Sequence, residues 1–162
     1  MDKIFVGLGT NLGKREDNIE KALARIKENI GPVTKSSSLY ETEPWGFESD
    51  EQFLNMVVRI DTGLKPGDLL QEILNVEYFL GRKRSEKQYA SRVIDIDILL
   101  YGEKIVNEHQ LKIPHPRMHE RRFVLEPMCE IAGEVIHPVF GKSFARLLEE
   151  CKDESKIKKI EY

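Results

Sequence analysis

Two aspartates, Asp95 and Asp97, stand two residues apart in the most strand-like stretch of the chain, residues 93–101. Alternate residues of a β-strand share a face, so the two carboxylates would lie on one face, about 6.6 Å apart along the strand. The isoleucines beside them would face the core. Carboxylates at this spacing suit a pair of Mg²⁺ ions, which sit about 3.5–4 Å apart in two-metal sites. A solvated polar face on a half-exposed strand is the alternative interpretation.

Clustered cations flank this strand in the sequence. The whole chain has a net charge of −3, yet residues 82–92 carry +4 and residues 112–122 carry +3. The second segment also holds His115 and His119 beside Arg121. Arginine forks bind phosphate oxygens in pairs and Mg²⁺ bridges such oxygens, so carboxylates beside clustered cations indicate polyphosphate binding. The negative total argues against a generally cationic nucleic-acid binder.

A flat ring is a second candidate ligand. Trp45 is the only tryptophan and lies in a predicted exposed loop, where a large apolar side chain is costly without a partner. Phe53 shares a strand face with Asn55, whose amide could hydrogen-bond a ring. Phe123 follows the second cationic segment. Core packing of the phenylalanines, and pairing of the asparagine with backbone, are the alternatives.

Spacing excludes several other sites. The glycine-rich stretch 7–14 has Leu8 where a Walker loop needs glycine and Leu12 where a dinucleotide fingerprint needs it, which favours a tight turn and close packing. The chain has no HExxH, GxSxG or CxxC motif. Two cysteines with no paired spacing predict a reducing, cytoplasmic setting. No apolar run approaches the ~18 residues that cross a bilayer.

The elements that must position these residues follow from hydrophobic periodicity. Strands are predicted at residues 4–9, 33–42, 53–61 and 93–101, with a hairpin strand at 104–107. Helices are predicted at residues 16–29, 66–80, 116–120, 123–132 and 143–151. The order predicts an α+β fold with a ferredoxin-like βαββαβ core, a mainly antiparallel sheet backed by helices, an extra C-terminal hairpin and further helices, in a single domain 1–162. Residues 82–92 are expected to form a mobile loop, and the charged tail from Lys152 is expected to fray.

Several segments together resemble the 6-hydroxymethyl-7,8-dihydropterin pyrophosphokinases of folate biosynthesis, and the resemblance covers nearly the whole chain. The most specific segments are Arg92–Leu99 and Ile113–Phe123, and residues 9–13 and 80–84 also match. The resemblance implies a monomeric enzyme with ATP and a reduced pterin as substrates. It implies transfer of the β,γ-diphosphoryl group of ATP to the pterin hydroxymethyl group, with release of AMP. The charge and the lack of a long apolar run predict no nucleic-acid or membrane partner.

The resemblance also implies roles for individual residues. Asp95 and Asp97 would hold two Mg²⁺ ions and, with Arg82 and Arg92, form the catalytic set. The implied ATP contacts are Glu77, Arg84, Ile98, His115 and Arg121. The implied pterin contacts are Thr42, Pro44, Trp45, Phe53, Asn55 and Phe123. Tyr89 would be an aromatic lid in Gln88–Arg92, where the family commonly has Arg-Trp-Gly-Pro-Arg.

Two other functions stay open at this point. A non-catalytic RNA-binding domain can have the same βαββαβ order, although this chain lacks an RNP-type run. The second is a family member that binds nucleotide but turns over slowly, because Ala90 and Ser91 replace the Gly-Pro of the loop.

Overall fold

The computed structural model describes residues 2–42, 52–81 and 93–160. Within these ranges the chain forms eight strands, four α-helices and a short 3₁₀ helix at Met118–Glu120. The strands are β1 (Ile4–Thr10), β2 (Val33–Ser36), β3 (Leu39–Thr42), β4 (Phe53–Ile60), β5 (Asp95–Tyr101), β6 (Val106–Asn107), β7 (Lys112–Ile113) and β8 (Ile157–Ile160). The helices are α1 (Arg15–Asn29), α2 (Pro66–Phe79), α3 (Arg122–Ala132) and α4 (Phe144–Glu150).

The main sheet has six strands, and every pairing in it is antiparallel. Its order is β5-β1-β4-β3-β8, and β2 pairs with the far half of β4. The first strand is therefore central, between β4 and β5. This order, with two helices connecting the strands, is the predicted ferredoxin-like arrangement, and the predicted α+β class is confirmed. The short strands β6 and β7 form the additional hairpin.

One face of the sheet is covered by α1 and α2. The first helix buries Ile19, Ala22 and Ile26, which recur at helical spacing along one stripe. The second helix starts with Pro66 at its first turn, where a missing N–H costs nothing, and buries Leu69 and its neighbours. These side chains pack on the even-numbered residues of β1, β4 and β5 and form the larger core.

The other face is covered by α3 and α4 over part of its area. Phe5, Val57 and Leu99 project from three adjacent strands and pack against Leu125 and Phe144, which are fully buried. Farther along the same face, β1 presents glycine instead of a large side chain. The second core therefore ends there, and the end of the sheet beyond it stays partly open to solvent.

Two predictions, one of a strand and one of a frayed tail, need correction. The predicted strand 33–42 is interrupted at Ser37, whose hydroxyl accepts a hydrogen bond from the Val57 N–H at 2.9 Å and donates to the Ser38 carbonyl at 2.8 Å. This side chain takes the place of a backbone hydrogen bond to β4, so β2 and β3 are separate strands. The tail from Lys152 was expected to fray, but it returns as β8 and pairs with β3 from Leu39 to Thr42.

Candidate active site

The floor of the site is a pair of glycines on β1. Gly7 is opposite Asp97 on β5 and Val57 on β4, and Gly9 is opposite Asp95 and Asn55. A Cβ on Gly9 would lie 2.9 Å from the Asn55 Oδ1, which is closer than real Cβ atoms come to a neighbour. Because glycine has no side chain, space is left above β1 between the side chains of β4 and those of β5.

The two aspartates line one side of this floor. Asp95 and Asp97 are half-buried, whereas Ile94, Ile96 and Ile98 are buried in the larger core on the opposite face. The predicted division of faces is confirmed. Among the described residues, no three or more His, Cys, Asp or Glu side chains gather as a metal cluster. A carboxylate pair still fits Mg²⁺, because this ion is commonly held by one or two carboxylates together with substrate phosphates.

Glu77 holds the strand that carries both aspartates. Its carboxylate is buried (4% exposed) and accepts a hydrogen bond from the Ile96 N–H at 2.8 Å. Because β5 is an edge strand in the part of the chain that the structure describes, none of the strands described there pairs with this amide on its outer side. The bond fixes the backbone between Asp95 and Asp97. Ile98, an implied ATP contact, is buried in the larger core by its side chain.

His115 is fixed against the outer edge of the same strand. The backbone N–H of His115 donates to the Leu99 carbonyl at 3.0 Å. Its ring Nδ1 accepts from the backbone N–H of Arg117 at 3.2 Å. Burial and the nearby Arg121 guanidinium lower the pKa of His115 to about 4, against the opposing effect of Asp95. His115, Arg121 and Asp95 are thus brought together, and the imidazole is neutral at neutral pH.

The ring-binding candidates lie on the other side of the glycine floor. The buried Asn55 donates from Nδ2 to the Thr42 hydroxyl at 3.0 Å, and Thr42 is opposite Phe53 in the β3–β4 ladder. Phe53 and Phe123 are both half-buried. The Arg121 guanidinium lies 5.6 Å from the centre of the Phe123 ring, which connects the cationic and aromatic parts of the site.

Thr10 joins two segments of the site through contacts that the sequence did not indicate. It is fully buried, and its hydroxyl donates to the carbonyl of Val93, two residues before β5. The Asn18 amide donates to the same hydroxyl at 3.2 Å and to the Leu12 carbonyl at 2.8 Å. These bonds tie the end of β1, the turn after it and the start of β5 together.

Six of the predicted site residues lie outside the described ranges. They are Pro44, Trp45, Arg82, Arg84, Tyr89 and Arg92. Their assigned roles, and the prediction of a mobile loop at 82–92, stay predictions.

The comparisons with known proteins decide the class of protein. The model of the 7,8-dihydro-6-hydroxymethylpterin-pyrophosphokinase family matches residues 5–133. The chain belongs to this family. Its members use ATP as co-substrate in folate biosynthesis, so the enzyme prediction is confirmed over the RNA-binding alternative.

Similar proteins extend over most of the chain. The 2-amino-4-hydroxy-6-hydroxymethyldihydropteridine pyrophosphokinase of Aquifex aeolicus is 40% identical over 98% of this chain and 95% of its own length. The enzyme of the same name from Bacillus subtilis is 45% identical over 81% of this chain and 78% of its own. A crystal structure of Plasmodium falciparum HPPK-DHPS has a TM-score of 0.72, covering 93% of this chain and 43% of that one, and at 17% identity it shows the fold.

No helix among the described residues is both long enough and apolar enough to cross a membrane.

Proposed function

We propose that this pyrophosphokinase holds two Mg²⁺ ions on Asp95 and Asp97 and places ATP and the pterin on opposite sides of the Gly7–Gly9 floor. The observation that carries the proposal is the register. The carboxylates stand on one side of the glycines, and Asn55 stands on the other. When bound, Mg²⁺ would neutralise the negative charge of the triphosphate oxygens.

The phosphate side of the proposed site consists of the aspartates, His115 and Arg121. The Arg121 guanidinium gives paired N–H donors for phosphate oxygens, and the neutral His115 ring, half-buried near Asp95, adds no charge of its own. Glu77 supports this side by fixing the backbone between the aspartates. Its direct role at ATP, like that of Ile98, rests on the family resemblance.

The pterin side consists of Thr42, Phe53, Asn55 and Phe123. A flat, amide-like ring needs an apolar surface on its faces and hydrogen-bonding groups at its edge. The two half-buried phenylalanines supply the first, and Asn55, oriented by Thr42, supplies the second. The pterin hydroxyl then attacks the β-phosphorus in line, and the chain contributes mainly orientation and charge.

The reaction is tested by its products. The protein is incubated with ATP, Mg²⁺ and 6-hydroxymethyl-7,8-dihydropterin, and AMP and ADP are separated. AMP together with a pterin diphosphate is expected. ADP in place of AMP would contradict diphosphoryl transfer.

The metal assignment is tested by Asp97→Asn. Loss of one ligand charge is expected to lower kcat by about a hundredfold or more at saturating Mg²⁺, with the thermal midpoint little changed because Asp97 is half-buried. Asp68→Asn, an exposed aspartate on α2, is the matched control and should keep full activity. Near-normal turnover of Asp97→Asn would overturn the metal role.

The state of the working enzyme is also part of the proposal. A reducing, cytoplasmic setting is supported by the two cysteines, Cys129 and Cys151, which are both free. The proposal of a monomer rests on the family resemblance alone.

A further inference from the structure

Arg15 connects the two strands that carry the pterin-side residues. It is the first residue of α1, directly after the turn that follows β1. One guanidinium nitrogen donates to the Glu41 carboxylate at 2.8 Å, and the other donates to the Gln52 carbonyl, also at 2.8 Å. Both side chains of the ion pair are only 27% exposed. One rigid, planar group therefore contacts two strand ends at once.

The two acceptors lie at the open end of the β3–β4 pair. Glu41 is the second-last residue of β3, and Gln52 comes directly before β4. The last rung of the ladder joins Thr42 to Phe53. A two-residue turn would fix the register of such a pair, but here residues 43–52 separate the strands in the sequence. By binding both, the Arg15 guanidinium fixes the distance between Glu41 and the Gln52 carbonyl.

Arg15 acts from the face opposite the substrates. Glu41 is opposite Leu54, which packs in the larger core under α1 and α2. Thr42 projects to the other face, as does Tyr40, whose hydroxyl donates to Glu130 of α3 at 2.6 Å. The arginine thus has no direct access to a pterin bound on Thr42 and Phe53.

We infer that Arg15 is a positioning residue for the pterin: by joining Glu41 to the Gln52 carbonyl, it holds the last β3–β4 rung at the separation that the ring needs. The inference rests on the proposed assignment of the pterin to Thr42, Phe53 and Asn55. An isolated surface ion pair contributes little. A half-buried guanidinium that binds a carboxylate and a main-chain carbonyl on different strands constrains geometry as well as charge.

The test is a split between the Michaelis constants for the two substrates. Arg15→Gln is expected to raise KM for 6-hydroxymethyl-7,8-dihydropterin about tenfold, with KM for ATP and kcat within about twofold of wild type. Arg15→Lys keeps a charge near Glu41 but lacks the fork, so we expect an intermediate rise of about threefold. Arg146→Gln is the matched control, because it removes a 2.8 Å Arg–Glu pair on α4, far from the ladder, and should change neither KM.

Phe53→Ala in the same series separates the two possible failures. If Phe53→Ala raises the pterin KM and Arg15→Gln does not, the inference about Arg15 is wrong and the pterin assignment stands. If neither variant changes the pterin KM, the assignment fails and the inference falls with it. Equal rises in the KM values for ATP and pterin would show a general loss of structure and would also overturn the positioning role.

Discussion

Gly7 and Gly9 lie on the same face of β1, yet an added methyl group would meet different surroundings at each. At Gly9 it would lie 2.9 Å from the Asn55 Oδ1, and the Asn55 amide cannot swing away without losing its bond to Thr42. At Gly7 the nearest atom is a Leu99 methyl carbon at 3.5 Å, an ordinary contact. The floor is therefore tighter on the side of Asn55.

The first prediction follows from this difference. Gly9→Ala is expected to displace the Asn55 amide and raise the pterin KM about tenfold, since misplacing one hydrogen-bonding group costs about 1 kcal/mol or more. Gly7→Ala should leave the pterin KM within about twofold. Steady-state kinetics with the pterin varied at saturating ATP measures both. Equal pterin KM values for the two variants would contradict the role given to Gly9.

The sequence predicts the orientation of some site residues but not the hydrogen-bond partners of others. The shared face of Asp95 and Asp97 follows from the period of two in a strand, and the structure confirms it. The Thr42 partner of Asn55 and the Val93 partner of Thr10 do not follow from the sequence. Those partners come from strand register and from chain segments far apart in the sequence, which local pattern does not encode.

At the scale of elements, the C-terminal strand has the largest consequence for the site. β8 covers the edge of β3, pairing Leu39 with Ile160 and Thr42 with Ile157. Its two isoleucines are half-buried, and the lysines between them are exposed. The strand also brings Lys159 to 3.9 Å from Glu130 of α3. β8 thus supports β3, which carries Thr42.

We predict that a chain ending at Lys156 unfolds at lower urea concentration than the full chain. Removing β8 exposes the apolar contacts and the hydrogen-bonding edge of β3, so a loss of about 2–3 kcal/mol in the free energy of unfolding is expected. The pterin KM should rise with it. As a control, Lys158→Ser/Lys159→Ser keeps the strand and should lose less than about 1 kcal/mol. Equal stability of the truncated and full chains would show that β8 does not support the sheet.

The elements that the sequence predicted wrongly share one cause. Periodicity within the chain locates α1, α2 and the strands β1, β4 and β5 closely, because each buries a regular stripe. The tail from Lys152 has too few apolar residues to indicate a strand by itself, and it forms one only because β3 offers an open edge. The break at Ser37 depends on the backbone of β4 in the same way.

At the scale of the whole molecule, two cores on the two faces of one sheet fix the place of the site. The larger core fills the α1–α2 side completely, and the smaller one stops where β1 changes from Phe5 to Gly7. The charge of the chain is also unevenly distributed. The chain is acidic overall, and its two cationic segments flank the aspartate strand in the sequence. Local positive charge in an otherwise acidic chain favours a polyanionic substrate.

The smaller core contains a titratable group that makes whole-molecule stability depend on pH. His137 is 2% exposed, its ring centre lies 5.9 Å from that of Phe144, and its Nδ1 accepts hydrogen bonds from the N–H groups of Val139 and Phe140 at 3.1 and 3.3 Å. Burial, together with His119, lowers the pKa of His137 to about 4. Protonation of Nδ1 would also remove both hydrogen bonds.

This depressed pKa gives the last prediction. Above about pH 6.5 the His137 ring is neutral in both the folded and the unfolded chain, so its contribution is fully present. As the pH falls toward 4, the unfolded chain binds a proton there and the folded chain does not, and the free energy of unfolding decreases by about 3 kcal/mol. Burial lowers the pKa of His115 to about 4 as well, so its own contribution has the same sign. Urea unfolding at a series of pH values between 7 and 4 measures the sum.

His137→Asn isolates the share of His137. The asparagine oxygen can accept the same two N–H groups and does not titrate in this range, so the loss of stability between pH 7 and pH 4 should shrink by about 3 kcal/mol. The part due to His115 should remain. His109→Asn, at an exposed histidine before β7, is the matched control for the substitution itself and should leave the stability at pH 7 unchanged. If His137→Asn keeps the full wild-type slope, the acid sensitivity does not arise from the buried ring, and the two N–H bonds to Nδ1 do not oppose its protonation.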